Sequence, residues 1–90
     1  MLSIIAYDSQ EQAIAIANAS LYGLQAYVCS RQPERAQRLA TQLQAGSVLI
    51  NRISPELLAP FGGVKQSGVG REFGVFGLEA FLEAKSIVSD

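Results

Sequence analysis

Alternating strand-like and helix-like segments constrain the fold of this chain more than any other feature of its sequence. Residues 2–7 are partly β-branched and predict a first strand, residues 25–30 alternate and predict a second, and residues 47–51 predict a nearly all-apolar third. Residues 10–19 and 32–44, which lie between them, repeat apolar side chains at helical spacing. Short connections between such segments favour an α/β fold, in which flanking helices cover a small parallel sheet.

Several residues predict where these segments begin and end. Ser9 is a good N-cap for the first helix, and Gln12 follows at the spacing of a capping box. Pro33 suits the first turn of the second helix. Gly23 is expected in a left-handed turn after the first helix, and Gly46 is expected to stop the second.

The second half of the chain contains a glycine-rich loop at residues 60–72, a short helical pattern at residues 75–83 and a terminal strand pattern at residues 85–89. Glycine gives up more backbone freedom on folding than any other residue, so a glycine-rich loop is costly to order. Such a loop indicates a backbone path that side chains would block, often near a ligand. The glycine spacing matches neither a Walker loop nor a dinucleotide fingerprint that opens a helix after a strand.

Length and composition exclude several classes of protein. The chain has 90 residues, a net charge of −1, no His and one Cys, so it predicts a single domain with no zinc site, no disulfide and no nucleic-acid footprint. No apolar run approaches the roughly 20 residues that span a bilayer, and the N-terminus lacks a basic signal region, so we expect a cytoplasmic protein that binds no membrane. Hydrophobic residues make up 49% of the chain, which is more than so short a chain covers easily and favours a partner or self-association.

Ordered motifs along the whole chain resemble the C-terminal end of NAD(P)-dependent aldehyde dehydrogenases. The glycine-rich loop matches the family's Pro-Phe-Gly-Gly-x-Lys-x-Ser-Gly-x-x-Arg-Glu motif at every fixed position. The other matching segments, in chain order, are Ile16–Asn18 with Leu21–Leu24, Pro33–Ala36 with Ala45–Asn51, and Gly77–Phe81 with Glu83–Lys85.

This resemblance implies which part of the family's catalytic domain the chain represents, and which catalytic groups lie outside it. Residues 1–84 are expected to be part of the family's catalytic domain, and residues 85–90 its oligomerisation strand. The family oxidises an aldehyde to a carboxylic acid and passes hydride to NAD(P)+. Its nucleophilic Cys, its base Glu and its cofactor domain all lie upstream of the part that matches. We therefore expect this chain to contain no catalytic residue, to bind no cofactor by itself, and to be inactive alone.

The resemblance also implies which residues support the active site. Phe61 matches an aromatic ring that lines the substrate tunnel of the complete enzyme, whereas in this chain alone we expect it to be a core residue that anchors the loop. Glu72 matches a carboxylate on a water and proton route, the alternative being an ion pair with Lys65 or Arg71. The whole predicted support set is Asn51, Phe61, Gly62, Gly63, Lys65, Ser67, Gly68, Arg71 and Glu72.

The remaining candidates are weaker. Cys29 lies in a strand pattern with no His anywhere in the chain, so we expect a packed or half-buried thiol rather than a nucleophile. Glu83, Lys85 and Ile87 are predicted to contribute to an interface between subunits through edge or terminal strands. Two alternative functions stay open: an independent small module that oligomerises or docks onto a homologue, and a truncated gene product without a function.

Overall fold

The computed structural model describes all 90 residues and contains three helices and four short strands. In chain order they are α1 (Gln10–Asn18), β1 (Tyr22–Gly23), β2 (Gln25–Val28), α2 (Pro33–Gln42), β3 (Ser47–Ile50), β4 (Val64–Lys65) and α3 (Gly74–Glu79).

A parallel pair of strands forms the centre of the structure. β2 pairs with β3 in parallel, with Gln25 opposite Ser47 and Val28 opposite Ile50. Helix α2 connects the two strands and packs on both. This arrangement confirms the predicted α/β fold with a small parallel sheet. Each strand ends slightly before its predicted limit, and β3 is half-buried along its length because no third strand covers its outer edge.

Helix α1 begins where the capping residues predict. The Ser9 hydroxyl accepts a hydrogen bond from the Gln12 amide N–H at 3.2 Å, and Ser9 itself is extended, as an N-cap residue should be. The Gln12 side chain reaches back to the amide of Asp8 at 2.6 Å, one residue earlier than a standard capping box predicts. These two bonds together fix the direction in which the chain enters the helix.

Helix α2 packs against both strands of the parallel pair and contributes one of the five buried residues of the chain. Pro33 occupies its first turn, and the helix ends at Leu43, whose backbone is extended. Ala36 is fully buried against the parallel strands, and Val28 is the other buried hydrophobic residue. Leu39 and Leu43 of the predicted apolar face are half-buried. The core is therefore a thin layer between α2 and the sheet.

A second pair of strands closes the glycine-rich loop onto the first half of the chain. β1 and β4 pair antiparallel, with Tyr22 opposite Lys65 and Gly23 opposite Val64. The prediction that Gly23 is a left-handed turn residue is wrong, because Gly23 is a buried strand residue whose φ is not positive. Position 23 requires glycine because there is no room for a side chain. A Cβ there would lie 2.6 Å from the Gln44 carbonyl oxygen and 2.7 Å from a side-chain carbon of Val64.

Three terminal and surface predictions differ from the structure. Residues 2–7 form no strand, and they pair with no other segment of the chain. Residues 85–90 also form no strand in the single chain, so their oligomerisation role stays a prediction. Cys29 is exposed, not packed, and lies just beyond the last residue of β2. No helix is long and apolar enough to cross a membrane.

The chain exposes far more surface than a folded chain of its size. Its accessible area is 7628 Å², whereas a folded monomer of this mass exposes about 5,100 Å². Its radius of gyration is 17.1 Å, against about 12 Å for a compact domain of this length. Large hydrophobic side chains account for much of the excess; Met1, Ile4, Ile53, Leu58, Val69, Phe81, Ile87 and Val88 are each more than four-fifths exposed.

We expect this open shape to be measurable in solution. A chain with so little of its apolar surface covered should enhance the fluorescence of a hydrophobic dye. Small-angle scattering at low protein concentration should give a radius of gyration near the 17.1 Å of the structure. A dye-negative chain with a radius of gyration near 12 Å would contradict this expectation, because it would require a closed core.

Candidate functional site

The glycine-rich loop is a closed turn rather than a flexible linker. The amide of Phe61 donates to the Glu72 carbonyl oxygen at 2.8 Å, and the amide of Glu72 donates back to Phe61 at 2.8 Å. This antiparallel bridge joins the two ends of the loop. Phe61 and Glu72, at opposite ends of the motif, therefore lie side by side, and the two hydrogen bonds fix the backbone of each against the other.

Glycine lets the backbone of this loop touch backbone elsewhere. A Cβ on Gly46, just before β3, would collide with the Gly62 carbonyl oxygen, and a Cβ on Gly62 would collide with that of Gly70. A Cβ on Gly63, which is buried, would collide with Ser67. The prediction that Gly46 stops α2 is wrong, because α2 ends at Gln42 with Leu43 as its C-cap. Gly46 instead allows β3 to begin directly against the loop. Gly68 is glycine for a different reason, since its φ is +143°.

Lys65 and Ser67 tie the loop to the segment between α1 and β1. The Lys65 ammonium donates to the carbonyl oxygens of Asn18 at 2.8 Å and Ser20 at 2.9 Å. The Ser67 hydroxyl accepts a hydrogen bond from the Gly23 amide at 2.8 Å. The ammonium thus satisfies carbonyls at the C-terminal end of a helix, where a cation is favoured. Both side chains fix the loop in place, as the sequence predicted.

Arg71 holds the loop from within. Its Nη1 donates to the carbonyl oxygens of Gly63 at 2.9 Å and Gly70 at 2.8 Å. Because Lys65 and Arg71 both donate to backbone carbonyls, the alternative in which one of them pairs with the Glu72 carboxylate does not form. The Glu72 side chain is exposed.

Asn51 joins the ends of the two parallel strands. Its Nδ2 donates to the Ser30 carbonyl oxygen at 2.7 Å, and its Oδ1 accepts from the Ser30 amide at 2.9 Å. Both amide atoms of Asn51 therefore bind back across the sheet rather than to the loop that follows it. A φ of 53° turns the chain away from β3 at this residue, and asparagine tolerates that conformation better than most residues.

A cavity of about 320 Å³ opens between β3 and the segment that leads into the loop. Phe61 is among the residues that line it, as are Arg52 and Glu56. Ser47 also lines it, and its hydroxyl is buried without a hydrogen-bond partner. Of the predicted support residues, only Phe61 faces this cavity. A second concave surface lies over the loop and is lined by Phe61, Gly62, Gly63, Ser67, Gly68, Arg71 and Glu72, together with Leu24 and Gly70.

The structure adds two residues that the sequence did not single out. The ring of Phe73 stacks on that of Phe61, with ring centroids 6.0 Å apart. The Asn18 side chain donates to the Gln42 carbonyl oxygen and accepts from the Gln44 amide, each at 2.8 Å. Asn18 thereby links the ends of both helices to the loop. The Ala-Asn motif was the only sequence signal for it, and Phe73 had none.

The predicted interface residues lie apart from this site. Glu83, Lys85 and Ile87 are exposed in the C-terminal segment after α3, and Ile87 is 88% exposed. None of them lines either concave surface around Phe61. Their role between subunits remains a prediction.

The fold is a small α/β unit with a closed glycine-rich loop, and comparison with known proteins assigns its family. The model of the aldehyde dehydrogenase family matches residues 1–87, so the chain belongs to that family. It is 49% identical over 88 residues to a 3-succinoylsemialdehyde-pyridine dehydrogenase of a Pseudomonas species. That match covers 98% of this chain but 18% of the relative, so the chain corresponds to a short C-terminal piece of such proteins.

Solved structures agree with the family and with the fold. The chain is 50% identical to aldehyde dehydrogenase C from Pseudomonas syringae, crystallised with NAD+ and octanal, with a TM-score of 0.89 over 93% of this chain and 17% of that one. It is 46% identical to betaine aldehyde dehydrogenase from Staphylococcus aureus in complex with NAD+, with a TM-score of 0.83 over 88% of this chain and 16% of that one.

The contact between Gly46 and Gly62 yields a prediction about stability. Gly46→Ala should destabilise the chain by about 1–3 kcal/mol, because the added methyl group overlaps a backbone carbonyl that cannot move aside alone. Gly70→Ala is the matched control, since a Cβ at Gly70 meets nothing within 4 Å. Urea unfolding followed by circular dichroism measures both. Equal urea midpoints for the two variants would show that the backbone contact does not matter.

Proposed function

We propose that this chain supplies the supporting loop and one wall of the substrate site in an aldehyde dehydrogenase, and that it does not catalyse the reaction alone. The reaction is oxidation of an aldehyde to a carboxylic acid with NAD(P)+. In this proposal the nucleophilic Cys, the base Glu and the cofactor pocket come from segments of the family that these residues do not include. Phe61, held at the edge of a cavity by the closed loop, is the observation that carries the proposal.

The loop has the properties that such support requires. A substrate wall must hold its side chains within a fraction of an ångström, and this one is held by backbone bridges and by two cations that donate to carbonyl oxygens. Glu72, whose carboxylate pairs with neither Lys65 nor Arg71, keeps an exposed side chain at the end of the loop. We assign Phe61 to the substrate wall and Glu72 to the proton route.

In this proposal the glycine-rich loop does not hold the dinucleotide. A phosphate cradle needs glycine amides that face open space, usually at the start of a helix. In this loop Gly62 and Gly63 are packed against neighbouring backbone and side chain, so their lack of a Cβ is used inside the fold. We therefore place NAD(P)+ binding outside these residues in the proposal, although relatives were crystallised with NAD+.

A chimera tests the proposal directly. The segment of Pseudomonas syringae aldehyde dehydrogenase C that superimposes on this chain is replaced by residues 1–90, and NADH formation from NAD+ and octanal is followed by absorbance at 340 nm. We expect the chimera to be active, because half the residues of the segment are identical and the backbones agree. We expect the isolated chain to form no NADH under the same conditions.

Two variants control this experiment. Phe61→Ala in the chimera should raise the KM for octanal at least threefold while leaving the KM for NAD+ unchanged, because it removes a substrate wall only. Cys29→Ser should leave the chimera as active as before. NADH formation by the isolated chain, abolished by Cys29→Ser, would overturn the proposal, and so would a folded chimera without activity.

A second candidate function is an independent module that associates with itself. The exposed apolar surface and the unpaired outer edges of β2 and β3 favour it, since free strand edges seek partners. The C-terminal segment with Glu83, Lys85 and Ile87 is the proposed contact. Light scattering after size exclusion separates the two functions, because a stable dimer of the isolated chain supports the module, and a monomer or polydisperse aggregate counts against it.

A further inference from the structure

Phe73 has a backbone conformation that aromatic residues almost never adopt. Its φ is 69° and its ψ is 153°, in a region that is essentially restricted to glycine. A side chain there is strained, because its Cβ crowds the neighbouring peptide groups. Gly74, the next residue, also has a positive φ of 59°, but it is glycine and carries no such strain.

The turn itself does not require a phenylalanine. A Cβ on Gly74 would collide with the Leu58 carbonyl oxygen, so glycine is needed there for space. A glycine at residue 73 would make the same turn with less strain. The ring of Phe73 must therefore contribute something that glycine cannot.

What the ring contributes is contact with Phe61. The two rings stack with centroids 6.0 Å apart and planes inclined by 29°. The backbone of Phe61 is held by Glu72, the residue just before Phe73, through two hydrogen bonds of 2.8 Å. Glu72 and Phe73 together fix both the backbone and the ring of Phe61.

We propose that Phe73 is a positioning residue, whose strained backbone presses its ring against Phe61 and sets the width of the aldehyde site. The proposal rests on the proposed function only in assigning Phe61 to that site. An aldehyde with a long apolar chain is the substrate class most sensitive to the position of this ring, because its binding depends on apolar contact.

The test compares Phe73→Ala with Phe73→Gly in the chimera. Both remove the ring, so both should raise the KM for octanal about threefold or more and leave the KM for NAD+ unchanged. Only Phe73→Gly also relieves the strain, so its urea midpoint should be higher than that of Phe73→Ala. A residue with a purely structural role would change the KM in step with the loss of stability.

Two further variants separate the ring from general packing. Phe73→Tyr keeps the ring and should restore the KM for octanal. Phe73→Leu should raise it, whereas Phe76→Leu, the same change three residues later on a ring that does not stack on Phe61, should not. Equal effects of the two leucine variants would overturn the proposal, as would an unchanged KM in Phe73→Gly.

Crystal structures of the chimera and its Phe73→Gly variant provide a readout that does not need activity. We expect the Phe61 ring to move or to lose order in the variant. If the chimera is inactive, the proposed function fails, but the position of the Phe61 ring still decides this inference. A Phe61 ring that stays in place in both crystals would contradict it.

Discussion

The site depends on direct contact between the backbone of the glycine-rich loop and the backbone that precedes β3. Because Gly46 and Gly62 have no side chains, the loop lies closer to the sheet than any other residue pair would permit. This approach brings Lys65 within reach of the end of α1 and Ser67 within reach of Gly23. If the loop were displaced by the width of a methyl group, these bonds would lengthen, and Phe61 would leave the edge of its cavity.

The sequence predicts the central part of this structure well, because the signals there are local. Capping by Ser9, the start of α2 at Pro33 and the parallel pairing of β2 with β3 all follow from short-range patterns. The sequence is a poorer guide to residues whose conformation depends on contact with a distant part of the chain. Gly23 proved to be a packing residue because Gln44 and Val64 lie against it, and no pattern around Gly23 reports that contact.

In the candidate site, too, local features follow from the sequence and long-range contacts do not. The motif places the loop residues together in the sequence, but it does not show the distant hydrogen-bond partners of Asn51 and Lys65. Asn51 binds Ser30 across the sheet, and Lys65 binds the end of a helix 47 residues earlier. Phe73 was missed because neither its type nor its neighbours predict a positive φ. The first and last strand predictions depend on pairing with another strand, and neither segment pairs within the single chain.

The thin core and the well-fixed loop are consistent with one physical explanation. A loop held by backbone hydrogen bonds and by glycine contacts needs few buried side chains, so its geometry persists although only Val28 and Ala36 are buried hydrophobic residues. In the proposed function, the excess apolar surface attaches this element to the segments that cover it, because burying that area stabilises the complex. The loop that supports a substrate site and the residues that catalyse the reaction can therefore lie in different segments of a protein. This requires that the loop has its final geometry before the segments associate.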